Sequence, residues 1–208
     1  MQLVSLNVST CQTIEYNGKQ VATGIFKTPA AQPLQVSFQG IEGDEQADLV
    51  NHGGSHKAVY GFCTSHYSHW NNVIQRNISW GAFGENLSVD SLSEGSIFIG
   101  DQFSVGSCVL EVSQPRVPCF KLGVALGDKT LPKQFTAHGR TGVYFRVLRE
   151  GTIQVGDALT KIHGVENSVS IESLFRAKFD KSFDEKAFVF SKARQLVALA
   201  PEWQEKVR

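Results

Sequence analysis

The sequence predicts a mainly β fold: a β-barrel over residues 1–165 with a few peripheral helices, then a small three-helix bundle over residues 166–208. Three observations predict it. Residues 1–165 are cut by glycine into short runs rich in β-branched and aromatic residues. Many closely spaced short strands favour closure, because a barrel leaves no unpaired edge. Beyond about residue 166 the apolar residues change to helical intervals.

The elements follow in order. Residues 1–8 read as a first strand and lack the basic and apolar regions of a signal peptide, so the cytoplasm is expected. No apolar run approaches the roughly 18 residues of a membrane helix, and no membrane partner is expected. Residues 34–38, 57–60, 96–99, 109–112 and 142–148 alternate as strands do. Between them Tyr67, Trp70, Val73 and Ile74 carry helical spacing, which predicts a helix over 65–76. Residues 94–101 (EGSIFIGD) resemble residues 150–157 (EGTIQVGD), either as a repeated turn, strand and turn or as a coincidence of common Gly-Asp turns.

In the C-terminal part, Ile171, Leu174, Phe175 and Phe179 predict a first helix. Ser182 and Glu185 have the spacing of a capping box that opens a second. Pro201 suits the first turn of a third, with Trp203 behind it. Alone, such a bundle buries too little apolar surface, so it should pack on the barrel or on a partner.

Composition narrows the function. The 208 residues are 41% hydrophobic and 19% charged, which suits a folded chain with a substantial core. The formal net charge of +0 argues against a nucleic-acid polymer as partner, since such binders carry a basic excess. None of Cys11, Cys63, Cys108 and Cys119 forms a C-x-x-C pair, which disfavours zinc ribbons and iron–sulfur clusters. Cys63 and Cys108 lie in apolar runs and read as small core residues.

Cys119 differs. Pro115, Arg116 and Pro118 precede it in a rigid loop, and Arg116 and Lys121 bring positive charge that favours a thiolate. It is either a metal-binding or nucleophilic sulfur or a buried cysteine beside Phe120. A second cluster, His52, Gly53, Gly54, His56 and Lys57, reads as an anion cradle, as a pair of zinc ligands on His52 and His56, or as an ordinary turn. Its glycines argue against a helix, and the i, i+3 pair His66 and His69 reads as a solvated helix face. In a third, around Gly81 and Gly84, Asn86 offers an amide to a ligand while Glu85 anchors the loop, unless the segment is only a glycine-rich turn. Arg140, in a fourth, either reaches an anion or is solvated. Neither a P-loop nor a dinucleotide fingerprint occurs.

Taken together and in order, these segments resemble the MOSC domain family, the C-terminal domain of molybdenum-cofactor sulfurases, in its YiiM-like branch with a three-helix appendix. The residues that carry the resemblance are His52-Gly53-Gly54 with Lys57, then residues 81–87, then Pro115-Arg116 with Pro118-Cys119, then Thr141-Gly142 with Tyr144 and Arg146. The resemblance implies a β-barrel binding the molybdenum cofactor, a molybdopterin with a phosphate tail. It implies Cys119 as the molybdenum ligand and catalytic residue. It also implies reduction of N-hydroxylated small molecules such as 6-hydroxylaminopurine. The implied cofactor contacts are His52, Gly53, Gly54, Lys57, Glu85, Asn86, Arg116 and Arg140, with the basic ones on the phosphate.

The chain carries no other electron-carrying motif, so a separate electron-donor protein is expected. Two alternatives remain open: a sulfur carrier using a Cys119 persulfide, and a non-catalytic protein that binds or delivers molybdenum cofactor.

Overall fold

The computed structural model describes residues 1–48 and 53–208. The expected site residue His52 lies outside the described residues.

The strands are β1 (Leu3–Val8), β2 (Gln12–Tyr16), β3 (Lys19–Thr23), β4 (Thr28–Pro29), β5 (Leu34–Ser37), β6 (Gly40–Ile41) and β7 (Val59–Cys63). Helix α1 (Tyr67–Ile74), β8 (Leu87–Val89), β9 (Gln102–Val105) and β10 (Cys108–Pro115) follow. Next come α2 (Phe120–Leu126), α3 (Leu131–His138), β11 (Val143–Arg149), β12 (Gly151–Ile153) and β13 (Thr160–His163). The chain ends with α4 (Ile171–Phe179), α5 (Lys186–Ala193) and α6 (Pro201–Lys206). No helix among the described residues is long and apolar enough to cross a membrane.

A large mixed sheet runs in the order β13-β9-β10-β11-β7-β8-β1-β4, with β7 and β8 parallel. A small sheet β12-β5-β6 and the hairpin β2-β3 stand apart from it. No strand ladder among the described residues closes the sheet into the expected barrel. Three backbone bonds instead join the start of the chain to the turn before β13: Leu3 N to Asp157 O (2.9 Å), Gly156 N to Leu3 O (2.8 Å) and Leu159 N to Met1 O (2.9 Å). Gly156, at φ +95°, bends the chain there, and the pairing is a single antiparallel bridge, Gln2 with Ala158.

Residues 96–99 are not the expected strand. Ile97 O accepts from Ile171 N and Ile99 N donates to Val169 O, so the segment pairs with the chain leading into α4 and keeps a turn conformation. The resemblance between 94–101 and 150–157 is real at the turn. In both, the aspartate side chain accepts from a backbone N–H three residues earlier, Asp101 from Phe98 and Asp157 from Gln154, each at 2.9 Å.

The C-terminal helices do pack on the sheet. Leu6, Val112, Phe145, Phe175 and Trp203 belong to one continuous buried cluster, and Trp203 is fully buried. Helix α4 opens with the Ser170 Oγ cap on Ser173 N (3.1 Å). The expected capping box at Ser182 does not form. Asp180 takes both the N–H and the hydroxyl of Ser182, so no oxygen reaches the start of α5. A second buried cluster is aromatic: Tyr60, Phe62, Trp70, Phe83 and Phe135 pack between β7, α1 and α3. It backs the cleft described next.

Candidate functional site

Strand β10 carries the chain to Pro115, and residues 116–118 lead without regular structure into α2. Cys119 is the N-cap residue of that helix, in extended conformation (φ −128°, ψ 175°), and is half-buried. Two neighbours fix this loop. Arg116 N donates to Gly142 O (3.2 Å), and Thr141 Oγ1 donates to Arg116 O (2.6 Å). Gly142 has φ +83°, and a Cβ there would lie 2.5 Å from Gly61 O, so only glycine fits.

Cys119 lines a cleft together with Lys27, Asp44, Lys57, Tyr60, Asn86, Arg116, Lys121 and Tyr144. Arg116 is 5% exposed. Its guanidinium lies over the rings of Tyr60 (5.4 Å) and Phe135 (5.5 Å). Its Nη2 reaches Phe83 O at 3.4 Å, whereas Nη1 is buried with no hydrogen-bond partner. Lys57 is buried and pairs with Glu202 of α6 at 2.5 Å. Lys27 pairs with Asp44, and burial still pulls its ammonium below the usual lysine range. Lys121 donates to Ala22 O (3.1 Å). Burial pushes the Tyr144 hydroxyl up to about 12 against the opposing pull of Arg116, so it stays protonated at neutral pH.

The remaining expected residues divide. Asn86 lines the cleft, but its amide is spent inside the protein. Oδ1 accepts from Tyr60 N (3.1 Å), and Nδ2 donates to Asn7 O (3.2 Å) and Asp44 Oδ2 (2.9 Å). Glu85 is fully buried and does not line the cleft. It accepts from Gly81 N (2.8 Å), Phe83 N (3.2 Å), Ser88 Oγ (2.7 Å) and the Tyr67 hydroxyl, so it anchors the loop rather than touching a ligand. Burial raises its carboxyl above the usual range while these donors oppose the rise.

The cradle expected at Gly53 and Gly54 is also narrower than the sequence suggests. Gly54 N donates to Gln46 Oε1 (2.9 Å), residues 55–57 form a short 3₁₀ turn despite the glycines, and neither glycine lines the cleft. His56 accepts from Arg146 Nε through Nδ1 (3.2 Å), so that nitrogen is no metal donor. Arg140 is brought elsewhere. It is exposed and lines a separate cleft between α3 and α4, because Gly139 (φ +79°) ends α3 and turns the chain away. His66 is not a solvated residue either: it is buried against Glu94 (3.2 Å).

Sequence reasoning did not place Lys27, Asp44, Tyr144 or Glu202 in the site. Tyr144 had a signal, a polar-tipped aromatic between Val143 and Phe145 in a strand. Lys27, Asp44 and Glu202 had none, being far from the motifs along the chain.

A half-buried thiol thus shares one cleft of a sheet protein with several lysines and with a buried guanidinium, one nitrogen of which has no hydrogen-bond partner. The MOSC domain model matches residues 48–160, and the chain belongs to the MOSC domain family. It is 42% identical to the uncharacterized protein YflK of Bacillus subtilis, over 85% of this chain and 80% of that one. It is 30% identical to protein YiiM of Escherichia coli, over 82% of this chain and 80% of that one. A reductase of Gibberella moniliformis shares 36% identity over 69% of this chain, which corresponds to only 26% of the longer relative. The crystal structure of YiiM from Geobacillus stearothermophilus superposes with a TM-score of 0.83 at 32% identity, covering 99% of this chain and 96% of that one.

Proposed function

We propose that the protein binds the molybdenum cofactor through Cys119 and reduces N-hydroxylated small molecules, 6-hydroxylaminopurine among them. The observation that carries this reading is Arg116: buried, without an ion-pair partner among the described residues, and on the same cleft as Cys119. A buried unpaired cation is costly, and an anion at Nη1 offsets that cost. A thiolate is a fitting ligand for a soft metal centre. The residues present therefore fit a metal held by sulfur and accompanied by a phosphate. The membership of a reductase among the relatives supports the reaction class.

When bound, the cofactor supplies the two-electron step. Every other part belongs to the chain. The Cys119 sulfur would hold the metal. Arg116, Lys57 and Lys121 would bind the anionic portion. Tyr60 and Phe83 wall the cleft with rings. Replacing N–OH by N–H consumes two electrons and two protons and releases water. Tyr144, protonated at neutral pH, offers its hydroxyl proton to the departing oxygen. The electrons come from a separate donor protein.

Metal analysis tests the reading. Wild type and Cys119→Ala are both produced in cells that make the cofactor. Near-stoichiometric molybdenum in wild type, lost in the variant, is expected. Turnover of 6-hydroxylaminopurine with an electron donor should then follow. Molybdenum without turnover would leave a cofactor-delivery protein. A labile sulfur on Cys119 and no molybdenum would make it a sulfur carrier.

A further inference from the structure

Glu202 lies outside the stretch matched by the MOSC domain model, yet its carboxylate reaches a residue that lines the cleft. The contact is held from several directions. Ala200 N donates to Ser113 O (3.0 Å), which fixes the start of α6 on β10. Ser113 Oγ donates to His56 O (2.6 Å), next to Lys57. Arg146 joins the same two segments, with Nη2 to Ala198 O (2.6 Å) and Nε to His56 Nδ1 (3.2 Å). The α5–α6 junction and the Lys57 turn therefore form one bonded unit. Within it, Lys57 Nζ and Glu202 Oε2 stand 2.5 Å apart.

The pair is unequal. The Lys57 side chain is 7% exposed, and that of Glu202 is 41% exposed. A nearly buried ammonium needs a negative partner. A half-exposed carboxylate can leave for water at little cost. Glu202 also pairs with Lys206, one turn along α6, so it retains a cation when it leaves Lys57.

We propose that Glu202 is a specificity-determining residue of the cleft: a built-in counter-ion of Lys57 that an incoming anion must displace. Weakly attracted monoanions do not displace it, whereas a dianionic phosphate group does. The C-terminal helices thereby set which anions the cleft accepts. This rests on the cleft being the anion site of the proposed function, and not on the metal or the reaction.

The full chain, purified from cells unable to make molybdenum cofactor, is titrated with inorganic phosphate by calorimetry. Glu202→Gln should bind phosphate roughly tenfold more tightly than wild type, and should begin to bind chloride. Glu205→Gln, on the same helix with an exposed side chain, should match wild type. In Glu202→Gln with Lys57→Met the gain should vanish. A merely structural role would lower the melting temperature of Glu202→Gln without tightening phosphate. Unchanged or weaker phosphate binding by Glu202→Gln overturns the assignment, as does a gain that survives the loss of Lys57. If neither protein binds phosphate, the anion site falls with it, while molybdenum retention on Cys119 is decided separately by metal analysis.

Discussion

Thr141 Oγ1 donates a 2.6 Å hydrogen bond to the carbonyl oxygen of Arg116, and the Thr141 carbonyl oxygen accepts from the Tyr60 hydroxyl at 2.8 Å. One buried threonine thus ties the cysteine loop to both the chain before β11 and the aromatic cluster. The loop that carries the Cys119 thiol is thus held by a residue more than twenty positions along the chain.

Thr141→Val keeps the shape and removes the donor. The Arg116 carbonyl is left buried with one fewer partner, a loss of about 1–2 kcal/mol in unfolding free energy by denaturant titration. Because the loop loosens, retention of molybdenum should fall along with stability.

Arg116→Met should separate fold from function. The cation is buried and half-partnered in the ligand-free protein, so an apolar side chain of similar length should change stability by less than about 1 kcal/mol or raise it. Phosphate binding by calorimetry should drop at least tenfold. A large loss of stability would mean that the rings of Tyr60 and Phe135 depend on the guanidinium, contrary to this view.

Gly142→Ala should be poorly tolerated. The position has φ +83°, and the new Cβ would meet Gly61 O at 2.5 Å and Tyr60 Cε2 at 2.7 Å. More than about 2 kcal/mol of destabilisation is expected, read as a lower melting temperature or as insoluble protein.

Residues 1–165 alone should not fold stably. Ile97 would lose its backbone partner at Ile171, Ile99 its partner at Val169, and Ser113 its partner at Ala200. The buried faces of Phe175 and Trp203 would be missing from the main core. Circular dichroism of the fragment, compared with the full chain, checks this. A fragment with a native-like melting transition would make the helices a separate appendix.

Stability should fall as pH drops below about 6.5. Burial holds His138 below the usual histidine range, with His69, His66 and Arg140 adding to the effect. Burial, then Arg146 and Lys57, do the same to His56. The unfolded chain therefore binds protons that the folded one does not. Folding is most favoured above the unfolded value and weakens as pH falls from there toward the lowered folded values. Melting temperature against pH should show a shallower slope in His138→Gln than in wild type.

The sequence by itself determined the secondary structure wherever the pattern was locally complete. Tyr67, Trp70 and Ile74 marked α1, and Ile171, Leu174 and Phe175 marked α4, because a helix face is written at fixed short intervals. It also singled out Cys119 and Arg116, since a proline-flanked cysteine beside a basic residue is a local signal. What it could not determine were relations across the chain. Residues 96–99 have a strand's composition but lie against the C-terminal segment and stay a turn. Glu85 and Asn86 look like ligand contacts until their partners at Tyr67, Ser88, Asn7 and Asp44 are seen to use them up. Arg140 follows a helix end that points it into another cleft. Lys57 meets Glu202 only after the last helix docks. Side-chain chemistry is written residue by residue, but whether a polar group is free for a ligand depends on what the fold packs against it, and that is decided at long range.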